Sequence, residues 1–131
     1  MTNGDTVSLQ ESTHLISQGT TGLCTWQAAL HLAEWASENR EYFENRKVLE
    51  LGSGLGFTGI SVCKQCNIKS MTFSDCHQQV LYLLMVNIEN NFSKSTGNCA
   101  IKAVLPENQS INSKRRKMIR SIRRQLSVKQ A

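Results

Sequence analysis

No stretch of the sequence reaches 18 consecutive apolar residues, so a membrane-spanning helix is excluded. Met1-Thr2-Asn3-Gly4-Asp5 is not a basic region leading into an apolar run, so no secretory signal is expected. The five cysteines are odd in number and follow no regular framework. They point to free thiols in a reducing compartment rather than to a disulfide scaffold. Together these absences imply a cytoplasmic location. There is no internal repeat, no Ser/His/Asp nucleophile arrangement and no pair of carboxylates spaced for acid–base work. What remains is 131 residues, 40% apolar and 19% charged. That is enough for one domain with a folded core and too apolar for wholesale disorder.

The formal net charge of +5 hides an asymmetry. Residues 1–93 hold 5 basic and 9 acidic residues, whereas residues 94–131 hold 10 basic residues and one acid, Glu107. The body is therefore acidic and the end basic, and any argument from net charge to nucleic acid concerns only the end. Lys114 to Arg124 packs seven basic residues into eleven. Met118, Ile119, Ile122 and Leu126 fall near helical spacing, so a basic amphipathic helix or a solvated disordered tail is expected over 107–131. RNA, a nuclear-import receptor, an acidic membrane and a calmodulin-like partner are all compatible with it. No aromatic is interleaved, so a base-stacking platform is not supported. The reading is of no membrane partner, and of nucleic acid only through this tail.

Residues 1–19 are polar and aperiodic and read as a leader. Thr20-Thr21-Gly22 signals a turn, and Thr25 is placed to cap a helix. Trp26, Ala29, Leu30 and Ala33 then recur at i, i+3, i+4, i+7, one face of a helix, with Trp35 assigned to the core. Val48-Leu49-Glu50-Leu51 is a strand feeding the turn Gly52-Ser53-Gly54-Leu55-Gly56. Phe57 to Cys66 reads as a helix, Met71 to Ser74 as a second strand, Gln78 to Asn90 as a helix and Cys99 to Leu105 as a third strand. Strands alternating with helices predict an α/β fold with a parallel sheet built from βαβ units. A sheet of so few strands would leave an apolar edge and face uncovered.

Two glycine patterns overlap in the turn. Glu50-x-Gly52-x-Gly54-x-Gly56 is one, and Gly54-x-Gly56-x-x-Gly59 is the other, a dinucleotide-type fingerprint. Both need glycine because the backbone must turn sharply and approach a ligand without a Cβ in the way. Asp75 ends the next strand 21 residues after Gly54, where a carboxylate can accept hydrogen bonds from ribose hydroxyls. Glu50 separates the candidate ligands. A pyrophosphate wants amide donors and positive charge, so a carboxylate nearby is unfavourable. S-adenosylmethionine carries an ammonium and a sulfonium and no phosphate, and Glu50 suits it. The acid-first pattern favours the methyl donor over NAD.

Gly19-Thr20-Thr21-Gly22-Leu23-x-Thr25-Trp26-x-Ala28-Ala29 resembles a segment of the seven-strand, S-adenosylmethionine-dependent protein-lysine methyltransferases that act on non-histone proteins. Val48-Leu49-Glu50-Leu51-Gly52-Ser53-Gly54 resembles their donor loop. Phe73-Ser74-Asp75-Cys76-His77 narrows the resemblance to the members directed at eukaryotic elongation factor 2. It runs from about Gly19 to Asn91. The resemblance implies a Rossmann-like methyltransferase fold over 20–106, S-adenosylmethionine as cofactor, and elongation factor 2 as protein partner. It implies that Trp26 lies against the cofactor, that Gly52, Ser53 and Gly54 line its methionine portion with Glu50 just before them, and that Asp75 holds the ribose. The family continues with a strand ending in Leu-Asp-Trp; the counterpart here is Leu105-Pro106-Glu107. The later strands are not found, so the expectation is a truncated form with a partial sheet and little or no methyl transfer. No catalytic residue is assigned.

Cys63-x-x-Cys66 near a helix end, with Cys76 and His77, could suggest a metal, but the spacing matches no common zinc finger. Thiols packed beside the sheet are the expected reading, with no metal, and His77 is read as a polar residue at a helix start. Two other function classes stay open on the residues alone. One is a non-catalytic interaction protein acting through the basic tail. The other is a dinucleotide-binding oxidoreductase fragment.

Overall fold

The computed structural model describes residues 6–12, 22, 24–92 and 99–104. Three strands, β1 (Lys47–Leu51), β2 (Ser70–Ser74) and β3 (Ala100–Val104), form a parallel sheet in the order β1-β2-β3. Helix α2 (Phe57–Gln65) links β1 to β2, and α3 (Gln78–Phe92) lies between β2 and β3 in sequence. Helix α1 (Gln27–Glu38) precedes the sheet and packs on α2. This is the α/β architecture expected from the alternating elements. The basic segment 107–131 and Leu105-Pro106-Glu107 lie outside the described residues, as do Gly19, Thr20 and Thr21.

The register places Val48, Met71 and Ile101 side by side, and then Glu50, Phe73 and Ala103. This face meets Ile60 and Val62 of α2 and Leu81, Leu84 and Ile88 of α3 in one core. Phe73, Ile60 and Leu84 are wholly buried at its centre. The opposite face carries Leu49, Thr72 and Lys102. Leu49 and Leu51 are 59% and 76% exposed, so the uncovered apolar face expected of a short sheet is present among the described residues.

Helix α1 departs from its sequence reading in three ways. Leu30, placed on the apolar face with Ala29 and Ala33, is exposed. Trp26, not Thr25, occupies the N-cap, with no side-chain cap bond. The Thr25 hydroxyl is buried without a hydrogen-bond partner, while its N–H donates to Glu11 Oε2 at 2.9 Å. Trp35 is not core but 46% exposed, stacked on Tyr42 at 5.8 Å and edge-on to Phe43. The small residues Ala33 and Ala36 take the buried positions instead. Alanine lets α1 approach α2 closely enough for the Thr58 hydroxyl to reach the Ala29 carbonyl at 3.3 Å.

Gly59 lies inside α2, where alanine is normally stabilising by about 1 kcal/mol. Here a Cβ would stand 2.3 Å from the Phe73 ring and 2.6 Å from Glu50 Oε2. Gly59→Ala is therefore expected to destabilise the fold by about 1–3 kcal/mol, read by chemical denaturation. A stabilised variant would show that α2 does not seat on Phe73 as described.

The segment Thr6–Ser12, read from the sequence as part of a leader, lies along α3. Val7 and Leu9 pack against the core, and Lys64 Nζ donates to the Thr6 carbonyl. The five cysteines are free thiols. Cys66 is in the core and Cys63 against it, as the packing reading expected. The Cys63 thiol is held above its ordinary pKa by its hydrogen bond to Cys99 and by burial, which makes it a poor thiolate.

Candidate functional site

Parallel βαβ sheets present ligands at the carboxyl ends of their strands, where each chain turns into the following helix. Here that edge holds the loop Gly52–Gly56 after β1 and Asp75 after β2. Gly52, Gly54 and Gly56 all have left-handed backbone, with φ of +64°, +54° and +91°. No other residue type adopts that conformation three times in five positions without strain.

Ser53 fastens the loop to the neighbouring strand. Its N–H donates to the Ser74 carbonyl at 2.9 Å, and its hydroxyl accepts from the Ser74 N–H at 3.0 Å. The same hydroxyl donates to the Glu50 carbonyl at 3.0 Å. Ser53 is thus buried and committed to backbone, so its hydroxyl holds the loop in shape. Gly52 is exposed, and a Cβ there would meet nothing within 4 Å, so open space lies over it.

Asp75 closes the site from the other side. One carboxylate oxygen accepts the Gly54 N–H at 3.1 Å, and the other accepts the His77 N–H at 3.0 Å. The second bond is an Asx-turn that leads the chain into α3, whose next bond runs from the Leu81 N–H to the His77 carbonyl. His77 is therefore a helix-start residue, as its position suggested. A carboxylate has about four acceptor sites, so two amides leave Asp75 able to take ligand hydroxyls. Gly22 lies across the loop: its carbonyl oxygen is 3.6 Å from the Cβ position of Gly54. Trp26 follows four residues later, half exposed at the head of α1.

Glu50 takes a less direct place than its sequence position suggested. Its side chain is on the helix-covered face, under Gly59 and beside Phe73 in the register. Oε2 is buried without a hydrogen-bond partner. Burial raises the carboxyl to about pKa 7, although the nearby Gly59 N–H and Ser53 side chain act to lower it. Glu50 therefore sets the charge beneath the loop rather than lining its open side. A buried acid that titrates near neutrality, one strand-end from an open glycine loop, is a mark of a ligand site. The site joins two acids to exposed glycine backbone, and residues 50–56 include no Lys or Arg. That chemistry fits a ligand with hydroxyls and positive charge better than a pyrophosphate. Among the described residues, no group of three or more His, Cys, Asp or Glu is arranged to hold a metal ion.

A family model for lysine methyltransferases matches residues 2–116. The chain belongs to the lysine methyltransferase family. It is 58% identical over 86 residues to the human protein-lysine N-methyltransferase EEF2KMT, which covers 66% of this chain and 26% of that protein. To the Bos taurus protein of the same name it is 56% identical over 92 residues, 70% of this chain and 27% of that protein. To the protein-lysine N-methyltransferase EFM3 of Chaetomium thermophilum it is 40% identical over 83 residues, 63% of this chain and 25% of that protein. The chain spans about a quarter of the length of these relatives. The partial parallel sheet accords with the Rossmann-like methyltransferase fold that the sequence resembled. Neither an oxidoreductase nor a purely tail-mediated role gains support from these relatives.

Sequence reasoning missed Asn87. It is wholly buried in α3, and its side-chain amide donates to the Leu55 carbonyl of the loop at 3.1 Å. The signal was present: Val80, Leu84, Asn87 and Asn91 fall at helical spacing, and an amide on a core-facing stripe needs partners.

Proposed function

We propose that residues 20–106 bind S-adenosylmethionine as the donor-binding part of a protein-lysine N-methyltransferase acting in the cytoplasm, with elongation factor 2 as the acceptor protein. The observation that carries this reading is the Asp75 carboxylate bonded to the Gly54 N–H across an open left-handed glycine loop. Asp75 would hold the ribose hydroxyls, and the backbone of Gly52 and Gly54 would border the methionine portion. Glu50 would supply negative charge below that portion in its ionised form, which burial confines to pH near 7 and above, and Trp26 would flank the cofactor. Ser53 keeps the loop folded through its bonds to Ser74 and Glu50. When bound, S-adenosylmethionine supplies an electrophilic methyl group to a neutral lysine amine. The chain's own contribution is to bind and orient the donor. Elongation factor 2 is supported by the Ser74-Asp75-Cys76-His77 motif and by the similarity to EEF2KMT proteins.

Asp75→Ala removes a charged acceptor that the ribose would need. Calorimetry is expected to show S-adenosylmethionine bound by the wild-type chain and affinity about thirtyfold weaker in the variant, roughly 2 kcal/mol. NAD is expected to give no heat of binding to either. Donor affinity unchanged in a folded Asp75→Ala protein would remove Asp75 from the site.

A further inference from the structure

Two asparagines on α3 hold the segment Thr6–Ser12 as a neighbouring strand would. Asn91 Oδ1 accepts the Ser8 N–H at 3.0 Å, and its Nδ2 donates to the Ser8 carbonyl at 2.7 Å. Asn87 Oδ1 accepts the Gln10 N–H at 2.6 Å, and its Nδ2 donates to the Gln10 carbonyl at 3.1 Å. The match is geometric. Residues i and i+4 of a helix are about 6 Å apart along its axis, and residues i and i+2 of an extended chain are separated by roughly 6.6 Å. Each side-chain amide therefore meets one complete backbone unit.

Asn91 Nδ2 also donates back to the Asn87 carbonyl at 2.7 Å, whereas Asn87 reaches out of the helix. The second Asn87 amide hydrogen goes to the Leu55 carbonyl, in the middle of the glycine loop. The Leu55 side chain is buried with Val80 of the same helix, so the loop is seated on α3 by an apolar contact and a hydrogen bond together. Asn87 is 0% exposed, and its acceptor and both N–H groups are used. The Gln10 backbone fixes the orientation of the Asn87 amide. That orientation aims Nδ2 at Leu55, between the left-handed residues Gly54 and Gly56. The segment reaches the other wall of the site as well, since Glu11 Oε2 accepts the Thr25 N–H beside Trp26.

We infer that Asn87 is a positioning residue for the donor loop, and that the backbone of Gln10 orients it, so that the segment Thr6–Ser12 is coupled to donor affinity through one buried amide. The inference rests on the reading of the loop as an S-adenosylmethionine site. It adds a residue that contacts the loop at Leu55 and a segment that contacts that residue, neither of which is assigned contact with the ligand. A buried acceptor left without its donor costs more than a formed bond contributes, so the Leu55 carbonyl would seek water or move.

The test is a double-mutant cycle on the full chain, with S-adenosylmethionine as the titrant. Asn87→Ala is expected to weaken binding about tenfold. Gln10→Pro removes the N–H that donates to Asn87 Oδ1 while keeping the carbonyl that accepts from Nδ2, its ring also fixing the local φ, and is expected to weaken binding about threefold. The double variant is expected to bind no more weakly than Asn87→Ala, because both changes act through the same amide. Wild-type affinity in folded Asn87→Ala, or additive losses, would overturn the coupling. Amide hydrogen exchange at Gly54 to Gly56, without donor, gives an independent readout, expected to quicken in both variants. Should the wild-type chain bind no S-adenosylmethionine, the donor-site reading fails. Exchange then decides the coupling alone: quickened exchange upholds it, and unchanged exchange overturns it. Should Asn87→Ala fail to fold, Gln10→Pro, made on an exposed residue, decides by the same exchange measurement.

Discussion

Gly56→Ala is expected to lower stability by about 3 kcal/mol, the largest loss of any single methyl in the loop. Two costs combine. At φ +91° an L-residue is strained, and left-handed backbone costs about 1–2 kcal/mol outside glycine. The added Cβ would also stand 2.5 Å from Leu84 Cδ1 and 3.2 Å from Ile60 Cδ1. Leu84 and Ile60 are wholly buried in the central core, so neither yields freely, and overpacking of this kind costs about 1–3 kcal/mol. Gly52 offers the contrast. It has left-handed φ too, but open space at its Cβ, so Gly52→Ala is expected to carry the backbone cost alone. Urea midpoints of the two variants measure the difference. Equal losses would mean that Gly56 is not pressed between α2 and α3.

Glu50→Gln is expected to stabilise the chain at pH 8 and to have little effect at pH 5. Burial raises the Glu50 carboxyl to about pKa 7, so the folded state holds a proton that the unfolded state releases at lower pH. Stability from this group is complete below the ordinary value of 4.5 and is lost as pH rises to about 7. The window is about 2.5 pH units wide and corresponds to roughly 3 kcal/mol. Cys63, the titratable neighbour facing Glu50, has its pKa raised and stays neutral over that range, so it does not mask the effect. Glutamine keeps the volume and removes the titration. The thermal midpoint of the variant at pH 8 is expected to exceed that of the wild type by roughly 10 °C, and its pH profile to be flatter. Parallel profiles would place the titration elsewhere.

Much of this architecture was legible in the residues. The strand ending at Leu51, the three spaced glycines and the strand ending at Ser74 each follow from local pattern, and together they dictate a βαβ unit. Asp75 was legible because its distance from Gly54 reflects the length of one helix and one strand. Trp35 was not, because aromatic character favours burial only where a partner surface exists; at α1 the alanines make the close approach, and Trp35 stacks on Tyr42 instead. Glu50 was legible as an acid beside the loop, but not as one turned beneath α2, since strand alternation gives the face only once the covered side is known. The segment Thr6–Ser12 was illegible for a different reason. Its ties to α3 run through backbone N–H and C=O groups, which every residue has, and only Asn87 and Asn91 mark them in the sequence.

The central claim is that the loop Gly52–Gly56 and Asp75 form a donor site. The most direct measurement is a calorimetric titration of the wild-type chain with S-adenosylmethionine beside a matched titration with NAD. Saturable binding of one equivalent of S-adenosylmethionine, with no heat from NAD, is the result this structure predicts. Binding of NAD in its place, or of neither ligand by a folded chain, would contradict it.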